Sequence, residues 1–258
     1  MLYISEIGKE NRQTIIFLHG GGVSSWMWEK QIESFKDYHI ILMDLPEHGE
    51  SINENPFTLE GAAKQVIDII KNIAHNGKAH IIGLSLGAQV IIQMLSMEPE
   101  VIDSAVVSGT LVYPIKGTKL LKPLLKLNEP FKNLEFMIKA NMKSLDVPFE
   151  YYEQFKKETK NCSVDNLTRI LSENMNFNVP KELEKATTKT LVLVGQKERA
   201  IMHKSAKALL RTLPNSTGYV VNNMPHNWSL VNPELFNNTV KAFIENASLP
   251  LELTEILK

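Results

Sequence analysis

The segment Ala79-His80-Ile81-Ile82-Gly83-Leu84-Ser85-Leu86-Gly87-Ala88-Gln89-Val90-Ile91-Ile92-Gln93-Met94-Leu95 decides the fold. It opens on a short apolar run suited to a buried strand, and from Leu86 its apolar residues recur at helical spacing. Between the two stands Gly83-x-Ser85-x-Gly87, so the serine falls where strand turns into helix. Such a turn strains the serine backbone and lifts its hydroxyl clear of the sheet. The glycines are needed because side chains two residues either side of the serine would collide as strand and helix close on each other. Ser85 is therefore read as a nucleophile, which needs a base, an acid that orients the base, and donors for a developing oxyanion.

Outward from this turn, short apolar strands alternate with amphipathic helices, the pattern of a mostly parallel, doubly wound α/β sheet. Strands are predicted at 2–6, 14–18, 39–43, 79–82 and 102–107, with helices at about 25–36, 59–75 and 86–97. Thr58 is positioned to cap the second of these helices. The pattern resumes with a strand at 188–195, a helix near 203–212, a strand at 217–221 and a closing helix near 233–246. Residues 111–185 interrupt it. They lack β-branched runs, are rich in Phe, Tyr and Met, and are broken by Pro114, Pro123, Pro130, Pro148 and Pro180. A plain loop of that length is uncommon. The expected organisation is a core of 1–110 and 186–258 carrying a helical lid at 111–185. Most lid aromatics should hold the lid together; Phe136, Met142 and Phe155, with Trp228 from the core, are candidate walls of an apolar substrate cavity.

Bulk composition narrows the function. The 28 basic and 29 acidic residues among 258 give no electrostatic case for nucleic acid or an anionic membrane. A single cysteine, Cys162, fits a reducing compartment. The N-terminal stretch has no signal-peptide core and no apolar run approaches ~18 residues, so the expected location is the cytoplasm. No H-E-x-x-H or paired-cysteine spacing is present, so neither metal nor cofactor is expected.

Among seven histidines, His226 is the candidate base. It lies in Asn222-Asn223-Met224-Pro225-His226, a loop beyond the last predicted core strand, facing the same crevice as the Ser85 turn. Glu198, presented by the loop that Gly195 opens, is the candidate acid; Asp103 competes but precedes its strand. His48 is a tempting second base, read as structural. The oxyanion donors are expected from the Leu86 N–H at a helix N-terminus and from His19-Gly20-Gly21-Gly22, with Gly21 first and Gly22 second.

Leu18-His19-Gly20-Gly21-Gly22, Asp44-Leu45-Pro46-Glu47-His48-Gly49-Glu50-Ser51, Gly83-Leu84-Ser85-Leu86-Gly87, the stretch 192–198 and the stretch 224–244 together resemble the α/β-hydrolase superfamily, in its lidded branch of small cytoplasmic serine hydrolases. The resemblance spans the chain outside the lid. It implies a triad in chain order Ser85, Glu198, His226 and hydrolysis of an ester or related acyl compound, a small-molecule substrate. It also implies that His48 has no chemical role. The same fold and triad serve thioesters, lactones, carbon–carbon cleavage and acyl transfer, and a hydrolase-derived binding or sensing protein is the alternative of another class. Three departures stand out: one antiparallel edge strand where the family has more, glutamate where aspartate is usual, and Pro225 where glycine usually precedes the histidine.

Overall fold

In the computed structural model, which describes residues 1–257, eight strands form one sheet in the order β1-β3-β2-β4-β5-β6-β7-β8. They are β1 (Ile4–Ile7), β2 (Thr14–Leu18), β3 (His39–Met43), β4 (Ala79–Leu84), β5 (Ile102–Ser108), β6 (Lys189–Gly195), β7 (Ser216–Val221) and β8 (Leu253–Glu255). The six inner strands are parallel, while β1 and β8 run antiparallel at the edges. The helices are α1 (Leu59–Ile73), α2 (Leu86–Met97), α3 (Leu121–Asn128), α4 (Glu135–Ser144), α5 (Tyr152–Asn161), α6 (Val164–Asn176), α7 (Ala200–Thr212), α8 (Trp228–Val231) and α9 (Pro233–Ile244).

Strand residues alternate between two apolar layers, as the two-residue repeat of a pleated strand requires. Ile16, Leu18, Ile81, Val107 and Val194 face α1, α2 and α7; Ile15, Phe17, Ile82, Val106 and Leu193 face Trp28, Phe236 and Val240 on the other side. The chain passes from β2 to β3 on one side and then to β4 on the other, so its winding reverses between β2 and β4. In open parallel sheets the ligand crevice lies at such a reversal, beyond the carboxyl ends of the strands. Gly20–Gly22 and Ser85 follow β2 and β4 at that point.

The predicted elements are present with modest shifts. β4 and β5 run on to Leu84 and Ser108, the helix expected near 203 begins at Ala200, and Thr58 caps α1 by accepting the Gly61 N–H at 3.0 Å. Ser25–Phe35 is 3₁₀ rather than α-helical. Two short elements were not anticipated, α8 and β8; four and three residues carry too little periodicity to be seen.

Between β5 and β6 the chain forms α3–α6 with short 3₁₀ turns among them, and proline marks the start of α3 and of three of those turns. Pro123 and Pro130 lie in first turns, and Pro148 and Pro180 are N-caps, positions where the missing N–H costs nothing. Met142 and Phe155 are buried in the same apolar cluster as Trp28 and Trp228, so they anchor this segment to the core. Helix α6 is fixed by polar contacts on one face. Glu173 accepts the Leu59 N–H at 2.8 Å, Asn174 exchanges hydrogen bonds with Gln89, and Asn166 and Arg169 donate to Glu47. Helix α5 adds Glu158, which accepts from Ser24 Oγ at 2.6 Å and from the Gly49 N–H at 3.1 Å.

Candidate active site

Ser85 has φ 55° and ψ −110°, a conformation that costs on the order of 1–3 kcal/mol for a non-glycine residue. The surrounding contacts hold it there. A Cβ on Gly83 would stand 2.7 Å from Ala88 N, and one on Gly87 would stand 2.3 Å from Leu18 O. Strand and helix thus approach to backbone distance on both sides of the serine. The Ser85 N–H donates to Ser108 O at 2.8 Å, and Ser85 O accepts the first α2 bond from the Gln89 N–H. The Leu86 N–H opens α2 and, as one of its first four donors, has no acceptor within the helix.

Glu198 and His226 meet. His226 Nδ1 lies 2.5 Å from Glu198 Oε2, and the Gly195 N–H donates to Glu198 Oε1 at 2.9 Å. The Glu198 side chain is 2% exposed and that of His226 27%. A carboxylate accepts only, so Nδ1 carries a proton, and in the neutral ring the lone pair then falls on Nε2, the tautomer a general base needs. Asp103, the competing acid, is exposed at the opposite end of the sheet beside Arg12 and His75.

The end of β5 joins these parts, a role not anticipated from the sequence. Ser108 O holds the Ser85 N–H, while Ser108 Oγ accepts from the Trp228 indole at 2.9 Å, two residues beyond His226. Gly109 follows, with φ +60°, and its N–H donates to Leu193 O on the strand that leads to Glu198. A Cβ on Gly109 would stand 2.6 Å from His226 Cε1 and 2.8 Å from Nδ1, so the imidazole rests on bare backbone. The one trace of this junction in the sequence is a serine–glycine pair closing a buried strand, which by itself names no role.

The remaining predicted residues fall as follows. Gly21 lies against α2 and α6: a Cβ there would be 3.7 Å from Leu86 Cδ2 and from Ile170 Cγ2. Gly22 has φ +80° and faces open space. Trp228 is corrected: it is fully buried between Ser108 and Phe236, a core residue rather than a substrate wall. Phe136 is corrected too, since it is 64% exposed on the outside of α4. Met142 and Phe155, the other two candidate cavity walls, are instead buried anchors in the core cluster.

His19 and His48 are fully desolvated, with rings 4.9 Å apart. His19 Nε2 accepts the Leu45 N–H at 2.9 Å and Nδ1 donates to Gly20 O at 2.7 Å, shaping the glycine loop from beneath. Burial lowers the His19 pKa. Burial and the nearby His19 push His48 down to about 3. Both rings are neutral at physiological pH. His48 donates from Nδ1 to Pro46 O, a structural contact. Burial raises the Cys162 thiol to about 11. Among the described residues no group of three or more His, Cys, Asp and Glu is placed to hold a metal ion.

A sequence model of the alpha/beta hydrolase fold matches residues 13–132. The chain is an α/β-hydrolase-fold protein. It is 25% identical to an AB hydrolase superfamily protein of Gibberella zeae over 92% of this chain and 82% of that one. It is 22% identical to the 2-hydroxy-6-oxo-6-(2'-aminophenyl)hexa-2,4-dienoic acid hydrolase of Metapseudomonas resinovorans, over 90% and 84% of the two chains. An esterase from Exiguobacterium antarcticum shares this fold with a TM-score of 0.81, at 17% identity over 95% of each chain.

Proposed function

We propose that this α/β hydrolase is a cytoplasmic serine hydrolase that cleaves a carboxylic ester or related small acyl compound without a cofactor. The observation that carries the reading is the Glu198–His226 contact at 2.5 Å, joined through Ser108 and Gly109 to the strained Ser85 turn. Ser85 Oγ attacks the substrate carbonyl carbon while His226 Nε2 takes the hydroxyl proton. Glu198 holds the Nδ1 proton and stabilises the imidazolium. The tetrahedral oxyanion is met by the Leu86 N–H and by the glycine loop, where contact with Leu86 favours Gly21 over Gly22. The imidazolium protonates the leaving group, and the neutral imidazole that remains takes a proton from the water that releases the acid from Ser85. Helices α3–α6 act as the lid, with Ile170 over the glycine loop.

A second reading, carbon–carbon hydrolysis, is favoured by the Metapseudomonas relative, whose named substrate carries a ketone rather than an ester. The nucleophile and base are the same in both.

A fluorophosphonate probe tests the nucleophile. Intact mass should show one adduct on the wild type and none on Ser85→Ala. An unlabelled wild type, or a labelled Ser85→Ala, removes Ser85 from the mechanism. Short acyl p-nitrophenyl esters assayed beside a ketonic dienoic acid then separate the two substrate classes.

A further inference from the structure

We infer that the outer face of α3 docks this protein reversibly on an anionic lipid surface. Leu120, Leu124, Leu127, Phe131, Leu134 and Phe136 are each 43–71% exposed. They make up six of the twelve large apolar side chains found exposed among the described residues, within 17 positions of the chain. The spacing from Leu120 to Leu124, Leu127 and Phe131 is four, three and four, which places them on one helical face. The backbone supports that face: a 3₁₀ turn at Thr118–Leu120 leads into α3, and another at Glu129–Phe131 follows it. The opposite face, with Leu121 and Leu125, is half-buried, and α3 packs on α6. A contiguous apolar patch of this kind on a soluble protein marks an interaction surface.

Charge identifies the partner. Residues 116–143 contain seven lysines and two glutamates, a charge of +5 along this stretch in a chain whose formal net charge is −1, with Lys122 paired to Asp165 of α6. The rest of the chain, with 21 basic and 27 acidic residues (28 − 7 and 29 − 2), carries −6. Lys126 lies within α3, and Lys116 and Lys143 are exposed on either side of it. An apolar helical stripe bordered by lysines is the pattern that settles in the headgroup region of an anionic bilayer, its leucines among the acyl chains and its ammonium groups at the phosphates. A symmetric contact between two copies would set these basic borders against each other, which opposes self-association. Among the described residues no helix is long and apolar enough to cross a membrane, so the contact is peripheral.

The test uses the intact protein and two vesicle preparations, phosphatidylcholine alone and phosphatidylcholine mixed with phosphatidylglycerol. The wild type should sediment with the mixed vesicles and not with the neutral ones, and high salt should release it. A Phe131→Trp variant should show a blue-shifted emission on the mixed vesicles. Leu124→Asp/Leu127→Asp should bind at least about tenfold more weakly, as should Lys126→Glu/Lys143→Glu. All four side chains are exposed, so folding and turnover of a short soluble ester should be unchanged. Equal sedimentation with both vesicle types, or undiminished binding by the aspartate variant, overturns the proposal. So does a wild-type dimer in analytical ultracentrifugation that the aspartate variant splits, because a second copy then covers the face.

Discussion

Both oxygens of Glu198 are engaged, one by the Gly195 N–H and one by His226, although the loop that carries it is open to solvent. A glutamine can keep the first contact, but it presents an N–H to Nδ1 and so favours the wrong imidazole tautomer. Turnover by Glu198→Gln should fall by about 10²–10⁴ while the melting temperature changes little. Wild-type turnover in that variant, alongside an inactive Asp103→Asn, would transfer the role of acid to Asp103. His48 makes a separate prediction about acid stability. Its ordinary value is 6.5, and burial takes it to about 3. Below the upper value the unfolded chain binds a proton that the native ring refuses. The stabilisation is complete above about 6.5 and is lost as pH falls toward 3, with His19 acting in the same direction. His48→Asn keeps a donor for Pro46 O and removes the titration, so melting temperature should depend less steeply on pH across that window. An unchanged slope would place the acid sensitivity elsewhere.

At the scale of elements, legibility in the sequence followed burial. Strands covered on both faces are unbroken apolar runs, and β2, β3 and β6 were readable within a residue or two for that reason. The three residues of β8 are half-buried or exposed, and pairing with β7 alone makes them a strand. The turn at Ser85 and the loop positions of Glu198 and His226 were each legible from their place after a strand. The Ser108–Gly109 junction was not, because it does its work through backbone atoms and a missing Cβ. Trp228 misled for a related reason: only the fold shows that its indole turns inward to Ser108. The contacts of α6 were equally invisible, since they join residues 85 to 122 positions apart. Glu47 has φ 63° and a side chain that is 4% exposed, and it receives Arg169, Asn166 and the Phe57 N–H. Removing the guanidinium leaves a buried carboxylate short of donors, which costs about 1–3 kcal/mol. Arg169→Met should therefore lower stability by that amount, and Glu47→Gln in the same background should recover part of it. Denaturant melts of the four proteins give the coupling. If the two changes are simply additive, the ion pair is not what holds α6.

For the molecule as a whole, the proposed site belongs to the sheet, and α3–α6 form a separate segment between β5 and β6. Ser85, Leu86, Glu198, His226 and the glycine loop all follow core strands, whereas α6 brings Ile170 to where a Cβ on Gly21 would meet it at 3.7 Å. Chemistry and selectivity should then be separable by mutation. Ile170 is buried, and shortening it opens space beside Gly21 without touching Ser85, Glu198 or His226. Ile170→Ala should raise kcat/KM for bulkier acyl esters relative to acetate by about tenfold, the scale that one or two methylenes command in an apolar pocket. The pre-steady-state burst with p-nitrophenyl acetate should persist, since a small activated ester needs only the nucleophile, the base and the oxyanion donors. Phe136→Ala is the control from the same segment: its side chain stands in solvent and its removal should alter neither quantity. Stopped-flow traces on folded variants decide the matter. A folded Ile170→Ala that loses the acetate burst would mean that α6 supplies part of the catalytic apparatus, and the separation between core chemistry and lid selectivity would fail.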